Sequence, residues 1–478
     1  MKKNSVTSVV ILLLMLSPLY AEPTNYTYNY DFWMEQVASP DAYHVGAYIL
    51  GTTLGIGHFR DPQGLYVRDN RIYICDSGNN RIVLIEAGEG HKLVKVVSSV
   101  TIDGEESPFK YPMDIFEARD GFIYIADTNN QRVLKLDKDW QYVSMVLKPD
   151  DESIEESAEF LPVKLTVDFA NRLFVQARNI NKGLLEFDSR GAFAGYMGAN
   201  KVHVNIIDYF WKMISSQAQR ARMDLFIPTE YSNLCLDHEG FIYVTNSSGQ
   251  TDPVRRLNAM GQDILIRNGY DDPVGDLAIG NAGGVSGRSR FIDVAAMEND
   301  SYACFDRMRG RIFMYDFQGN LLYAFGGLGN REGSFLQPVA LDSMGYSLYA
   351  LDSRAAALTR FDLTGYGLMI NRALNEYKAG RYESSAAVWE DVLKMNGNYD
   401  LAYIGIGRAA LRQGDYQKAM QYYKLKHYRE GYGKAFQLYR KQWMEENLWK
   451  ILVVIAVLIA APPAIRLGIR LRKEIQEA

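Results

Sequence analysis

The sequence predicts an all-β domain built as a ring of six small antiparallel sheets, followed by paired helices and one apolar helix near the C-terminus. Three observations carry this. A strand–strand–turn–strand unit at Phe59–Glu86 returns at Phe109–Asp137. The marker of its second strand recurs six times along the chain. After Gly367 the apolar period changes from two to helical. A small sheet cannot bury both of its faces alone, so a recurring unit of this size implies blades packed around an axis.

In the first unit, Leu65–Val67 and Arg71–Cys75 are short strand-like runs, Asp76-Ser77-Gly78-Asn79-Asn80 is a polar turn, and Arg81–Ile85 is a third run. The second unit runs from Ile123 to Asp127 through Thr128-Asn129-Asn130 to Arg132–Leu136. The six markers are Ile72–Asp76, Ile123–Asp127, Leu173–Gln176, Ile242–Asn246, Tyr302–Asp306 and Leu348–Asp352. Each is followed by a further strand: Arg81–Ile85, Arg132–Leu136, Gly183–Phe187, Val254–Leu257, Arg311–Tyr315 and Leu358–Phe361. Several units add a fourth. The last one lacks it, and Tyr43–Leu50, which precedes the first full unit, is the natural strand to complete it and close the ring.

Asp76, Asn79, Asn80 and Arg81, and Asp127, Asn129, Asn130 and Arg132, read as turn chemistry, because Asp and Asn side chains bond their own backbone. With Pro62-Gln-Gly64 and Pro112, these residues resemble the NHL repeat, a six-bladed β-propeller family. Gln176 and Asn246 replace the Asp in the third and fourth units.

Two insertions interrupt the ring. Residues 202–227 carry Ile206, Ile207, Phe210, Trp211 and Ile214 at amphipathic helical spacing. Residues 271–290 are Gly-rich and lack the Gly-Lys-Ser/Thr context of a phosphate loop. Upstream, residues 22–42 include Tyr26, Tyr28, Tyr30 and Phe32 alternating with polar residues, which makes either an edge strand packed on the ring or an exposed aromatic platform for a sugar.

From 368 to 447 the pattern is helical. Gly380-Arg-Tyr382, Ser385 and Trp389 recur as Gly414-Asp-Tyr416, Ala419 and Tyr423, with the glycines 34 positions apart. That period resembles the tetratricopeptide repeat, and the resemblance implies a concave face on which Tyr382, Trp389, Tyr403 and Tyr416 are candidate interaction residues. A third helix, Lys434 to Asn447, caps the pair.

Both ends carry targeting signals. Met1-Lys2-Lys3, the apolar Val9–Leu16 and the small Ala21 read as an export signal over residues 1–21. Ile451 to Ile465 is uncharged and apolar, and with Leu448 and Trp449 it is long enough to span, giving a transmembrane helix over 448–467. Arg466, Arg470, Arg472 and Lys473 place the tail, 468–478, on the cytoplasmic side. Pro462-Pro463 either kinks or terminates that helix. The propeller, 43–367, then faces outward.

Net charge is −5, which offers no basis for nucleic acid as a partner. Cys75, Cys235 and Cys304 each sit in an apolar run and read as buried hydrophobes. The six histidines have no metal-binding spacing, and no Gly-x-Ser-x-Gly elbow occurs. No cofactor is called for, although a propeller channel can assemble a divalent-metal site from distant residues. The expectation is a membrane-anchored, extracytoplasmic binding or scaffolding protein. The alternative is a metal-dependent lactonase or lyase working at the central mouth. The whole layout resembles bacterial NHL-repeat membrane proteins, which implies protein partners and a loose association with carbohydrate-transport systems.

Overall fold

The second and third strand of each repeat are almost continuously apolar, because both faces of a blade are covered by its neighbours. In the computed structural model, which describes residues 27–88, 90–152, 154–180, 182–198, 230–246, 252–269, 272–276 and 287–477, this produces a six-bladed propeller. The export signal, the 202–227 insertion and most of the Gly-rich stretch lie outside the described residues.

Blade 1 is Gly64–Arg68, Arg71–Asp76, Arg81–Glu86 and Lys92–Val97. Blade 2 is Pro112–Glu117, Ile123–Asp127, Arg132–Leu136 and Tyr142–Val146. Blade 3 is Leu161–Val167, Leu173–Arg178, Leu184–Phe187 and Phe193–Met197. In blade 4 the described strands are Asn233–Leu236, Ile242–Thr245 and Val254–Leu257. Blade 5 is Phe291–Ala296, Tyr302–Asp306, Arg311–Tyr315 and Leu321–Gly326. Blade 6 is Pro338–Met344, Ser347–Asp352, Ala357–Leu363 and, fourth, the N-terminal Tyr43–Leu50.

The innermost strand of every blade packs on the innermost strands of the next and the last, so the circle is complete. Its cores lie in the seams between blades. Ile49, Tyr349, Leu351 and Leu358 of blade 6 join Leu65, Val67, Ile72 and Ile74 of blade 1. Tyr73, Ile82 and Leu84 of blade 1 join Ile115, Ile125 and Leu134 of blade 2. In the first of these seams the clasp strand itself supplies Ile49, so closing the ring and burying the core are one event.

The aromatic N-terminal segment is an edge addition. Tyr28–Tyr30 pairs with Gln36–Ala38 and, at Tyr28↔Ala324, with the outer strand of blade 5. Tyr28 and Tyr30 are buried, and both hydroxyls donate to Asp276 Oδ1, at 2.6 and 2.8 Å. Arg311 Nη1 lies 2.7 Å from the other oxygen of that carboxylate. The platform reading of these two rings therefore fails: their faces are covered and their hydroxyls are used.

The chain divides after Leu368 into two compact units. The second holds all but the first residues of helix α1 (Gly365–Lys378), then α2 (Tyr382–Met395), α3 (Asp400–Gln413), α4 (Tyr416–Leu425) and α5 (Arg429–Glu477), with α2 packed on α3, α3 on α4 and α4 on α5. The repeated glycine has a physical reason. Gly414 takes φ 85° as the C-cap of α3, and Asp415 beside it caps α4 by accepting from Lys418 N–H at 3.0 Å. Inside the stack, small residues let helices approach: a Cβ at Gly405 would lie 2.7 Å from Trp389 Cε2. Gly405→Ala should therefore cost about 1–3 kcal/mol by overpacking, read as a lowered midpoint of thermal unfolding with the propeller transition unchanged.

The last helix differs from the expectation of a capping helix followed by a separate span. It starts at Arg429 and is continuous through Pro462 and Pro463, so the prolines do not terminate it. Among the described residues it is the one helix long and apolar enough to cross a membrane, and its apolar run is uncovered.

Candidate functional site: the central channel

The innermost strands leave a cavity of about 430 Å³ on the propeller axis. Its polar lining follows from one position of the repeat. The first strand opens Pro62-Gln-Gly64, Pro112-Met-Asp114 and Pro162-Val-Lys164, with Asn233 and Asp293 at the matching pairing positions of blades 4 and 5. In blade 1 that position admits only glycine, because a Cβ would meet Met113 O of blade 2 and Cys75 Sγ, the latter at 2.9 Å. In blades 2 to 5 the side chain enters the channel wall. Asp342 of blade 6, two residues further along its strand, joins them.

These groups tie blades together. Asp114 Oδ2 accepts from Leu165 N–H of blade 3 at 2.9 Å, and Asp293 Oδ2 from Leu341 N–H of blade 6 at 2.7 Å. Asp342 Oδ2 accepts from Val67 N–H of blade 1 at 2.6 Å, across the seam where the ring closes. Lys164 Nζ lies 3.6 Å from Asp114 Oδ1. Burial alone would lower the Lys164 pKa, yet Asp114 and Asp293 hold it above the usual lysine range. Burial pushes Asp293 and Asp342 up to about 7, against the backbone N–H groups that favour the ionised form.

That shift has a sign. A carboxyl whose folded pKa lies above its unfolded value, about 3.9, stabilises the fold fully below pH 4, and this contribution is lost as pH rises through about 7. Asp293→Asn and Asp342→Asn should each flatten the fall in stability between pH 4 and 7 by up to about 1.4 kcal/mol per pH unit, measured by urea unfolding.

The channel mouth carries Arg119, whose guanidinium carbon stands 3.3 Å from the Phe169 ring centroid, and His238, with Nε2 3.3 Å from Asp300 Oδ1. Among the described residues no three His, Cys, Asp or Glu side chains converge to hold a metal. The channel carboxylates instead spend oxygen lone pairs on backbone N–H groups, and Lys164 supplies a cation. This donor set does not fit a divalent metal.

The motif residues sit away from the channel, and their bonding explains their spacing. Asp76 Oδ1 accepts from Arg60 N–H at 2.7 Å; its Oδ2 accepts from Asn79 Nδ2 at 2.8 Å and Arg81 Nε at 2.7 Å. In blade 2, Asp127 holds Lys110 N–H, Asn130 Nδ2 and Arg132 Nε, each at 2.8 Å. The structural partner of Asn79 is thus Asn130. Asn129 matches Gly78, since each gives its N–H to a preceding loop carbonyl, Lys110 O and Arg60 O. Asn80 matches Gln131, both left-handed at φ 53° and 55°. The two Asn-Asn pairs therefore stand one position apart in the repeat.

The four helical candidates separate. Tyr382, Tyr403 and Tyr416 are half-buried, and Lys426 Nζ lies 4.6 Å from the Tyr403 ring centroid. Trp389 is 2 % exposed and packs on Gly405, so it belongs to the core of the stack and not to an interaction surface. Cys75 and Cys304 are buried as expected, whereas Cys235 is half-buried on the channel wall.

Sequence reasoning missed the channel set because it followed the conspicuous Asp-Asn-Asn-Arg turn. The signal lay in the third residue of Pro-x-Gly, which becomes Asp114 and Lys164 in the next two repeats.

An NHL-repeat family model matches residues 59–83, and a tetratricopeptide-repeat model matches residues 370–425. No curated protein matches the chain. Among solved structures, virginiamycin B lyase from Staphylococcus aureus is similar at 12 % identity and TM-score 0.43, over 67 % of this chain and 100 % of that one. A protein of unknown function from Bacteroides thetaiotaomicron is similar at 12 % identity and TM-score 0.42, over 64 % of this chain and 70 % of that one. The WD40 repeats of RRP9 are similar at 10 % identity and TM-score 0.41, over 68 % of this chain and 98 % of that one. Likenesses this distant carry no argument about activity. The chain is a six-bladed β-propeller bearing an NHL repeat, followed by tetratricopeptide-type helices that lead into one candidate membrane-spanning helix.

Proposed function

We propose that this chain is a membrane-anchored scaffold, with its propeller and helical repeats outside the cytoplasm and protein partners bound on their surfaces. The observation that carries the reading is α5, whose apolar stretch is wholly uncovered and continues directly from the helical repeats. A run of that hydropathy left exposed in water would be strongly unfavourable, and lipid satisfies it. Arg466, Arg470, Arg472 and Lys473 follow the run and favour a cytoplasmic tail, and the leader-like N-terminus favours export of what lies between. Propeller and tetratricopeptide architectures both present rigid, repeated surfaces suited to protein contacts.

Cross-linking in intact cells followed by purification from membranes tests this. The reading expects a defined set of proteins with the wild type, reduced when Tyr382, Tyr403 and Tyr416 are replaced together by Ala. Recovery of the chain alone from both would overturn the scaffold reading. A carbohydrate-transport component among the partners is an outcome the experiment would recognise.

A further inference from the structure

The seam that closes the ring buries a histidine. His91 lies in the turn between the third and fourth strands of blade 1 and is 7 % exposed. Its ring stands edge-on to Tyr349 of blade 6, with centroids 6.4 Å apart. Its Nε2 is buried and has no hydrogen-bond partner. A neutral imidazole can leave that nitrogen as a bare acceptor, whereas an imidazolium places a charged N–H there with nothing to receive it.

The charges around the ring favour the neutral form. Arg360 and Asp362 of blade 6 bear on His91, and the Asp362 carboxylate is already engaged. Arg360 Nη2 lies 2.9 Å from its Oδ2, and Ser347 Oγ donates to its Oδ1 at 2.7 Å. The clasp strand packs directly on that pair, since a Cβ at Gly46 would meet the Asp362 carboxylate. The other groups here that titrate or carry charge are the Tyr349 hydroxyl, the exposed His44 paired opposite Asp362, and Glu86 and Lys92, both exposed, at the two ends of the turn. Glu86 accepts from Asn70 Nδ2 at 3.1 Å. Burial first, and Arg360 second, lower the His91 pKa, and Asp362 offsets them only in part.

We propose that His91 is a proton-operated latch on the ring: neutral, it lets blades 1 and 6 close on each other, and protonated, it pushes their outer edges apart and loosens the clasp strand. A histidine whose folded pKa lies below its unfolded value, about 6.5, costs the fold nothing above that pH. Below it the opened chain takes up the proton more readily than the closed one, so the seam weakens as pH falls. The closed-to-open ratio can drop by up to about 10-fold per pH unit until the folded pKa is passed. Asp293 and Asp342 change stability in the opposite direction, so the latch is read as a difference between wild type and variant. Outside the cytoplasm the propeller would meet the pH of the surroundings, and acid would loosen the ring there. That use rests on the placement proposed above, whereas the latch itself does not.

Hydrogen exchange of the detergent-solubilised full chain at pH 5 and pH 7.5, corrected for the intrinsic rate at each pH, tests this. Between the two, protection in Tyr43–Leu50 and Ala357–Leu363 should fall at least about 3-fold more than protection in Leu173–Arg178 of blade 3. His91→Phe and His91→Asn carry no charge at either pH and should abolish that difference. Asn tolerates the left-handed backbone at this position, φ 42°, so it decides the matter if the Phe variant does not fold. His44→Gln should leave the difference in place. The proposal is overturned if the wild-type clasp loses no more protection than blade 3, if the uncharged His91 variants lose it as the wild type does, or if His44→Gln removes the difference.

Discussion

A chain lacking Tyr43–Leu50 should lose the cooperative unfolding transition of the propeller, the largest effect foreseen for any change outside α5. The strand pairs with Ala357–Leu363 along seven residue pairs, from Ala357↔Leu50 to Leu363↔Tyr43. Without it, that edge is open and the seam with blade 1 loses Ile49, which is 4 % exposed. The next seam suffers too, since Tyr43 stacks on Phe325 of blade 5 with ring centroids 4.9 Å apart. In a ring each blade is held by two neighbours, so one missing interface leaves no intact alternative. Ile49→Asp is the milder form. It removes buried apolar surface and inserts a charge with no partner, at a cost of about 3–5 kcal/mol. Circular dichroism during urea unfolding should show a broad, low-denaturant change for the truncation and a single shifted transition for the substitution. Unchanged cooperativity in the truncated chain would contradict the closure described above.

Asp76→Ala should destabilise by about 3–5 kcal/mol, the cost typical of removing one partner of a buried ion pair. Asp76 is fully buried and serves Arg60 N–H, Asn79 Nδ2 and Arg81 Nε at once. Its loss strands the Arg81 guanidinium, whose side chain is only 17 % exposed. Asp127→Ala should cost a similar amount, since the same three kinds of donor converge there. Asp139→Ala, at an exposed turn, should stay within about 0.5 kcal/mol of the wild type. If the buried and exposed variants melt alike, the turn network contributes nothing and its regularity needs another cause.

These contrasts show which features a sequence exposes. The blades were legible because Ile72–Asp76 and its five counterparts must be apolar on both faces, and all but Leu173–Gln176, whose strand runs on to Arg178, end in a residue that turns the chain. The clasp was legible because the last repeat runs out of strands before Gly365. The helical pairs were legible because a left-handed C-cap and an adjacent N-cap call for Gly414-Asp415. What escaped notice was set by close three-dimensional packing. Trp389 looks like a surface aromatic until Gly405 is found beneath it. Asp276 sits in a Gly-rich stretch, and only the fold brings Tyr28, some 250 residues earlier, onto its carboxylate (|i−j| = 248). The channel residues are spread over five blades at intervals that vary with loop length, so no local spacing links Asp114, Lys164, Asn233, Asp293 and Asp342.

The propeller and its channel acquire a cellular meaning through α5, and its placement can be measured directly. A tag after Ala478 and a cysteine replacing Ser144, on the outer strand of blade 2, in a chain whose half-buried Cys235 is replaced by Ser, should respond oppositely to a membrane-impermeant thiol reagent and to protease in intact cells. The account predicts labelling at position 144 and protection of the tag, with the chain retained in membranes through an alkaline wash. Labelling at 144 only after lysis, or release of the chain by that wash, would contradict it.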